Sequence, residues 1–164
     1  MSKNIHEDYL RSIIFGFQDA LISTTGVITG ISAGTNNKEL VILAAFVTIT
    51  VEALSMGTGQ YMSEKSVHQM DKTGRHTDNL YIGALLMGIS YLLGGLIPVL
   101  PILIFELPTS TTISIIAALI GLFVLGFAKA RLVRVNPIKS ALEILILGGI
   151  ATMIGLIVGK LLKV

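Results

Sequence analysis

The sequence predicts an all-α, polytopic membrane protein of five transmembrane helices, and three observations support this. Of its 164 residues, 52% are hydrophobic and only 13% are charged, and the mean hydropathy of +0.81 is too high for a soluble domain of this size. The apolar residues form five stretches of about 20 residues, the length that crosses a bilayer. These stretches do not alternate at every second residue, as the strands of a membrane β-barrel would.

The first apolar stretch, residues 13–33, is expected to remain in the mature protein as a span. Gln18 and Asp19 lie within it, whereas a cleaved signal peptide has an uninterrupted apolar core. The other spans are predicted at residues 40–62, 80–104, 111–130 and 141–162. The hydrophilic segments between the spans are short, so the chain is predicted to be a single transmembrane domain, residues 1–164.

Prolines and glycines mark special places within these spans. Pro98 and Pro101 predict a kink or a stop near the end of the third span, because proline removes a backbone donor and clashes with the preceding turn. Glycines recur every fourth residue in the first and last spans, at Gly26, Gly30 and Gly34 and at Gly155 and Gly159. Such faces let helix backbones approach closely. The sequence leaves open whether they pack within one chain or between two.

The composition also excludes several classes of function. With no cysteine, the chain has neither a disulfide nor a thiolate metal site. Its net charge of +2 is small and lacks the clustered basic and aromatic residues of a nucleic-acid interface. The chain carries no nucleophile motif or phosphate-binding loop, so we expect neither an enzyme nor a bound cofactor.

The positive charges predict the orientation in the membrane. With the amino terminus in the cytoplasm, nine of the twelve basic residues would lie inside: Lys3, Arg11, Lys65, Lys72, Arg75, Lys129, Arg131, Arg134 and Lys139. Three would lie outside: Lys38, Lys160 and Lys163. The distribution favours a cytoplasmic amino terminus and, with five spans, an external carboxyl terminus.

Two acidic residues, Asp19 and Glu52, are predicted to lie inside the bilayer. An acid there costs several kcal/mol unless it is paired, protonated or facing a cavity, so each is a candidate functional residue. At about 1.5 Å per residue, Asp19 is about 9 Å from one membrane edge and Glu52 about 12 Å from the same edge. Antiparallel packing of the first two spans would bring these carboxylates to nearly one level.

The second span predicts a path for a cation. Glu52, Met56, Gln60 and Glu64 recur every fourth residue and so share one helical face. Carboxylates suit Fe2+ or Mn2+, and a thioether adds a preference for a softer ion than Mg2+ or Ca2+. The alternative is structural: a methionine in an apolar helix usually fills a core, and buried acids can be hydrogen-bonding partners in a polar packing cluster.

Weaker signals lie near the predicted cytoplasmic side. Glu64, His68 and Asp71 would share a face if the second helix continued past the membrane, with His76 and Asp78 following. A solvated charged face is favoured there over a metal antechamber. Arg11 is expected to extend toward lipid phosphates.

Three segments carry a resemblance to the vacuolar iron transporter family. They are RSIIFGFQDALIST at residues 11–24, EALSMGTGQYMS at residues 52–63 and YLLGGLIPVLP at residues 91–101. The similarity continues in LGFAK at residues 125–129 and KSALE at residues 139–143, so it covers nearly the whole chain. The resemblance implies a homodimer that exchanges Fe2+, and often Mn2+, for protons and removes the metal from the cytoplasm.

The resemblance also implies that Asp19 and Met56 hold the metal within the membrane, along a path between the subunits. The sequence departs from the family pattern at three positions. Ala20 stands where the family usually has Gly, and Gln60 stands where many members have Glu. Thr48 stands where plant-type members have an acid. We expect Glu52 to replace that acid. Residues 63–79 are too short for the acidic helical domain of the plant-type transporters, so the chain resembles the short prokaryotic and nodulin-like forms.

The sequence therefore predicts a metal/proton antiporter of the prokaryotic plasma membrane. Asp19, Glu52 and Met56 would bind the ion, and Gln60 and Glu64 would guide it from the cytoplasm. Two alternatives stay open, a membrane scaffold protein that has kept the fold but lost transport, and a passive divalent-cation channel. The sequence does not rank Fe2+, Mn2+, Co2+ and Zn2+.

Overall fold

The computed structural model describes residues 7–71 and 79–162, and these residues form five α-helices. The helices are α1 (Glu7–Gly34), α2 (Lys38–Met70), α3 (Leu80–Ile104), α4 (Thr109–Val133) and α5 (Pro137–Leu161). Each is long and apolar enough to cross a membrane. The predicted all-α, five-helix fold is therefore confirmed.

The helices extend beyond the predicted apolar spans, and α2 differs most. It continues eight residues past residue 62, so the first half of the predicted 63–79 loop is helical and ends where the Asp71 N–H donates to the Val67 carbonyl. Residues 63–70 are too polar to count as part of an apolar span, but they contain no glycine or proline. They can therefore continue the helix beyond the apolar stretch. Asparagine side chains cap the amino-terminal ends of α2, α3 and α5, at Asn37, Asn79 and Asn136.

The third helix passes through both of its prolines and ends at Ile104. The helix ends three residues after Pro101, so the expected stop near the end of this span is confirmed. The Ser114 hydroxyl of α4 donates a hydrogen bond of 2.5 Å to the Pro98 carbonyl, and the Phe105 N–H donates to the Pro101 carbonyl at 2.9 Å. The first of these bonds ties α4 to α3 beside its proline, and the second closes the last turn of α3.

Helix α1 lies at the centre of the bundle and contacts all four other helices. It runs parallel to α3 and α5, while α2 and α4 run in the opposite direction. One end of the bundle therefore holds the start of α1, the end of α2 and the starts of α3 and α5, and we call it the near end. The far end holds the α1–α2 and α3–α4 turns, where Lys38 forms an ion pair of 2.8 Å with Glu106.

The glycine faces pack α1 against α5 within one chain. A Cβ added at Gly155 would lie 2.5 Å from the Gly26 carbonyl oxygen, and one added at Gly159 would collide with the backbone of Gly30. The two backbones are thus in direct contact, as small-residue faces permit. This answers the question that the glycine spacing left open for this pair of helices.

Large apolar side chains cover the outside of the bundle. Val51 and Leu54 on α2 are 58% and 67% exposed, and Met153 on α5 is 63% exposed. Apolar surface of this extent on every span is stable only in contact with lipid or with another membrane protein. Together with the five spans, it identifies an integral membrane protein.

Candidate functional site

The structure brings Asp19 and Glu52 together across the contact between α1 and α2. Their chain neighbours, Ala20 on α1 and Ala53 on α2, belong to one buried cluster, which places the two acids at the same level. The two helices run antiparallel, so Asp19 on α1 lies at the level of Glu52 on α2, as their depths predicted. We call the line of contact that these residues share the α1–α2 seam.

The two acids differ in burial. Asp19 is half-buried in the bundle, whereas Glu52 is exposed on the surface of the isolated chain. Glu52 faces outward, whereas the next residue, Ala53, is buried in a cluster with Ala20 of α1 and Tyr91 of α3. Neither acid has a basic partner among the ion pairs of the described residues, and a bare carboxylate facing hydrocarbon is unstable. Contact with lipid alone therefore does not stabilise a charged Glu52.

Met56 follows Glu52 by one turn on α2 and is partly buried. It packs against a cluster formed by Ala20, Ala53 and Tyr91. Because Met56 is only partly buried, its thioether can either fill the core or contact a metal ion. Its role as a ligand stays a prediction.

Sequence reasoning missed two hydroxyls at this level, those of Ser23 and Tyr91. Their oxygen atoms are 2.6 Å apart, and Tyr91 is fully buried, within reach of the charges of Asp19 and Glu52. A buried tyrosine needs a partner for its hydroxyl, so a tyrosine inside an apolar span was a usable signal. The hydroxyls add neutral oxygen atoms to the carboxylates and the sulfur.

Gln60 and Glu64 lie further along α2, toward the near end. Glu64 is buried, with 4% of its surface exposed, and accepts a hydrogen bond of 3.1 Å from the Gln60 amide nitrogen. It also forms an ion pair with Arg11 of α1. The expectation that Arg11 extends to lipid phosphates was therefore wrong, since the guanidinium is held by a carboxylate of the bundle.

The structure describes only part of the segment for which a solvated charged face was favoured over a metal antechamber. His68 lies on the last turns of α2 and Asp71 caps that helix, and both are half-buried and engaged in interactions. His76 and Asp78 lie outside the described residues. Within the part of the chain that the structure describes, no three His, Asp or Glu side chains converge as a metal site.

Taken together, one chain supplies two carboxylates, a thioether and two hydroxyls at one level of the α1–α2 seam. These donors suit a divalent transition metal, but two carboxylates on one side of an ion leave much of its coordination open. The seam also opens sideways, since Glu52 is exposed. A second surface would have to complete it.

The chain matches known proteins over most of its length. A sequence profile of the VIT family matches residues 10–80 and residues 68–160. A vacuolar iron transporter of Centaurea cyanus is 22% identical over 87% of this chain and 83% of its own length. Vacuolar iron transporter homolog 3 of Arabidopsis thaliana is 25% identical over 89% of this chain and 79% of its own length. Vacuolar iron transporter 1 of the same plant is 22% identical over 95% of this chain and 87% of its own length.

Proposed function

Because this chain belongs to the VIT family, we propose that it carries Fe2+, and Mn2+ as well, out of the cytoplasm in exchange for protons. The observation that carries the proposal is that Asp19 and Glu52, two acids within membrane spans, lie at one level of the α1–α2 seam. Two acids at this depth are costly, and they persist where an ion or a proton compensates them. The relatives that are named as iron transporters support the choice of cargo.

The donor set favours a transition metal over Mg2+ or Ca2+. The Asp19 and Glu52 oxygens, the Met56 sulfur and the Ser23 and Tyr91 hydroxyls would surround the ion. Hard ions prefer oxygen alone, whereas Fe2+ and Mn2+ accept carboxylates and tolerate a thioether. Co2+ and Zn2+ are the next candidates by the same chemistry.

Proton exchange follows from the same carboxylates. A carboxylate binds metal only when it is deprotonated, so a proton and a metal ion compete for the Asp19 and Glu52 oxygens. An ion that enters from one side displaces protons, and protons that enter from the other side displace the ion. Competition at one pair of groups is enough to couple the two fluxes.

We further propose that the near end faces the cytoplasm and the carboxyl terminus the outside, in a prokaryotic plasma membrane. Six basic residues in the described chain support this orientation by their position at or beyond the near-end edge of the spans. They are Arg11, Lys65, Lys129, Arg131, Arg134 and Lys139. Lys3, Lys72, Arg75 and Lys163 lie outside the described residues. Metal would then enter at Gln60 and Glu64.

A homodimer would close the seam. Glu52 is exposed on the isolated chain at a depth where lipid cannot solvate a charge, and a second copy would cover it and double the number of carboxylates. Native mass spectrometry of the protein in detergent is expected to give twice the 17.5 kDa of one chain. A mass of one chain under conditions that retain transport would contradict the dimer.

The function itself is tested in proteoliposomes that contain a metal-quenched indicator. The protein should drive uptake of Fe2+, and of Mn2+, at a rate that rises several-fold when the lumen is more acidic than the outside. Protein-free liposomes with the same gradient control for leakage. Equal uptake with and without the pH gradient would instead indicate a passive channel.

A membrane scaffold protein makes a different prediction in the same sample. It would give no uptake under either condition, and calorimetric titration with Co2+ would detect no binding. That pair of results would overturn the proposed transport.

A further inference from the structure

Arg11 and Glu64 form an ion pair that joins α1 to α2 at the near end of the bundle. The two residues are 53 positions apart in the sequence, so the pair is a contact between helices and not a local helix feature. The two side chains differ in burial: that of Glu64 is 5% exposed, whereas that of Arg11 is 59% exposed. The carboxylate is fixed inside the bundle and the guanidinium reaches it from outside.

The partners of Glu64 explain why Arg11 is needed there. The Gln60 amide donates a hydrogen bond to the same carboxylate oxygen that Arg11 contacts, but it carries no charge. A buried carboxylate without a compensating charge is strongly unfavourable. Arg11 thus supplies the positive charge on which a stable, ionised Glu64 depends.

The pair lies across the same seam as the candidate site. Arg11 precedes Asp19 by eight residues on α1, and Glu64 follows Glu52 by twelve on α2, which are about 12 Å and 18 Å along the helices. Both helices are continuous over these distances. An ion that moves along the seam from the near end therefore meets the Arg11–Glu64 pair before it meets Asp19 and Glu52.

We propose that Arg11 is a tethered counter-cation of Glu64, and that it admits divalent ions to the seam and rejects monovalent ones. The inference rests on the proposed transport function and adds a device for ion selection at its entrance. At equal distance a divalent ion attracts a carboxylate twice as strongly as a unit charge does. A divalent ion can therefore displace the guanidinium from Glu64. Na+ or K+ attracts the carboxylate no more strongly than the guanidinium that it would have to replace.

A second carboxylate is in place to receive the displaced guanidinium. The Arg11 nitrogen that contacts Glu64 also lies 3.4 Å from an Asp8 carboxylate oxygen, one turn earlier on α1. Movement of Arg11 toward Asp8 keeps its charge compensated while Glu64 holds the metal. The exposed position of Arg11 leaves room for that movement.

The test is Co2+ uptake into proteoliposomes, measured as KM and kcat with either choline or Na+ outside. In Arg11→Gln, Glu64 lacks its counter-cation, so the KM for Co2+ should fall about tenfold and Na+ should compete with Co2+. In Glu64→Gln, the uncompensated guanidinium repels the metal, and KM should rise. The double variant Arg11→Gln/Glu64→Gln should return KM to within about twofold of the wild type.

Lys38→Gln is the matched control, because it breaks an ion pair of similar type with Glu106 at the far end. It should change neither KM nor the effect of Na+. A purely structural bridge predicts unchanged KM and no Na+ effect in Arg11→Gln, which would overturn the inference.

If Arg11→Gln does not fold, the comparison of Glu64→Gln with the double variant decides. Equal KM values in those two proteins would show that the unpaired Arg11 guanidinium does not repel the metal, and this would also overturn the inference. Wild-type protein that takes up none of the transition metals would defeat the proposed function itself, and this result is distinct from either of the others.

Discussion

Replacement of Asp19 by Asn should reduce metal uptake to the rate of protein-free liposomes. The amide keeps the size of the side chain and removes the charge, so Glu52 is left as the one carboxylate at that level of each chain's seam. A divalent ion would then face half of the negative charge, and no proton would be released from position 19. Uptake of Fe2+ or Co2+ with an acidic lumen measures the effect.

Glu143→Gln is the control for that experiment. Glu143 is exposed, lies near the start of α5 and belongs to a helix that does not contact α2. Its loss should leave uptake within about twofold of the wild type, as is usual for a surface substitution. Full transport by Asp19→Asn, in protein shown to be folded, would remove the seam from the mechanism.

Replacement of Gly155 by Ala should destabilise the bundle by about 2 kcal/mol, because the new methyl group has no room. Its carbon would lie 2.5 Å from the Gly26 carbonyl oxygen and 3.2 Å from the Gly26 Cα, both of them backbone atoms that cannot rotate away. Helices α1 and α5 would have to separate along their whole contact. Thermal unfolding in detergent should show a melting temperature several degrees below that of the wild type.

Gly149→Ala on the same helix should have the opposite sign. A Cβ at Gly149 meets no atom of the described chain within 4 Å, so the substitution only adds helix propensity, worth up to about 1 kcal/mol. Equal melting temperatures for the two variants would show that the α1–α5 contact adjusts to an added methyl group and that its closeness is not required.

The spans and the pairing of the two acids could be predicted because each depends on a simple, local quantity. Hydropathy over about 20 residues locates a span, and residue count at a fixed rise gives the depth of Asp19 and Glu52. The antiparallel course of the first two helices then places the acids together. Nothing about distant contacts was needed for these conclusions.

Other parts of the site depend on contacts that the sequence does not display. Glu64 shares a face with Glu52, but its ion pair with Arg11 depends on how α1 and α2 meet 53 residues apart. Tyr91 is on α3, and its place beside Asp19 follows from the parallel packing of α1 with α3. Metal binding by any of these residues is still a prediction.

The central position of α1 has a consequence for biosynthesis. Helix α1 is translated before the other four helices, and its closest backbone contact is with α5, the last of the five. Until then the glycine face of α1, in the same helix as Asp19, must wait in the membrane without its partner. Until translation has passed residue 159, lipid or another membrane component therefore occupies the place of α5 on this face of α1.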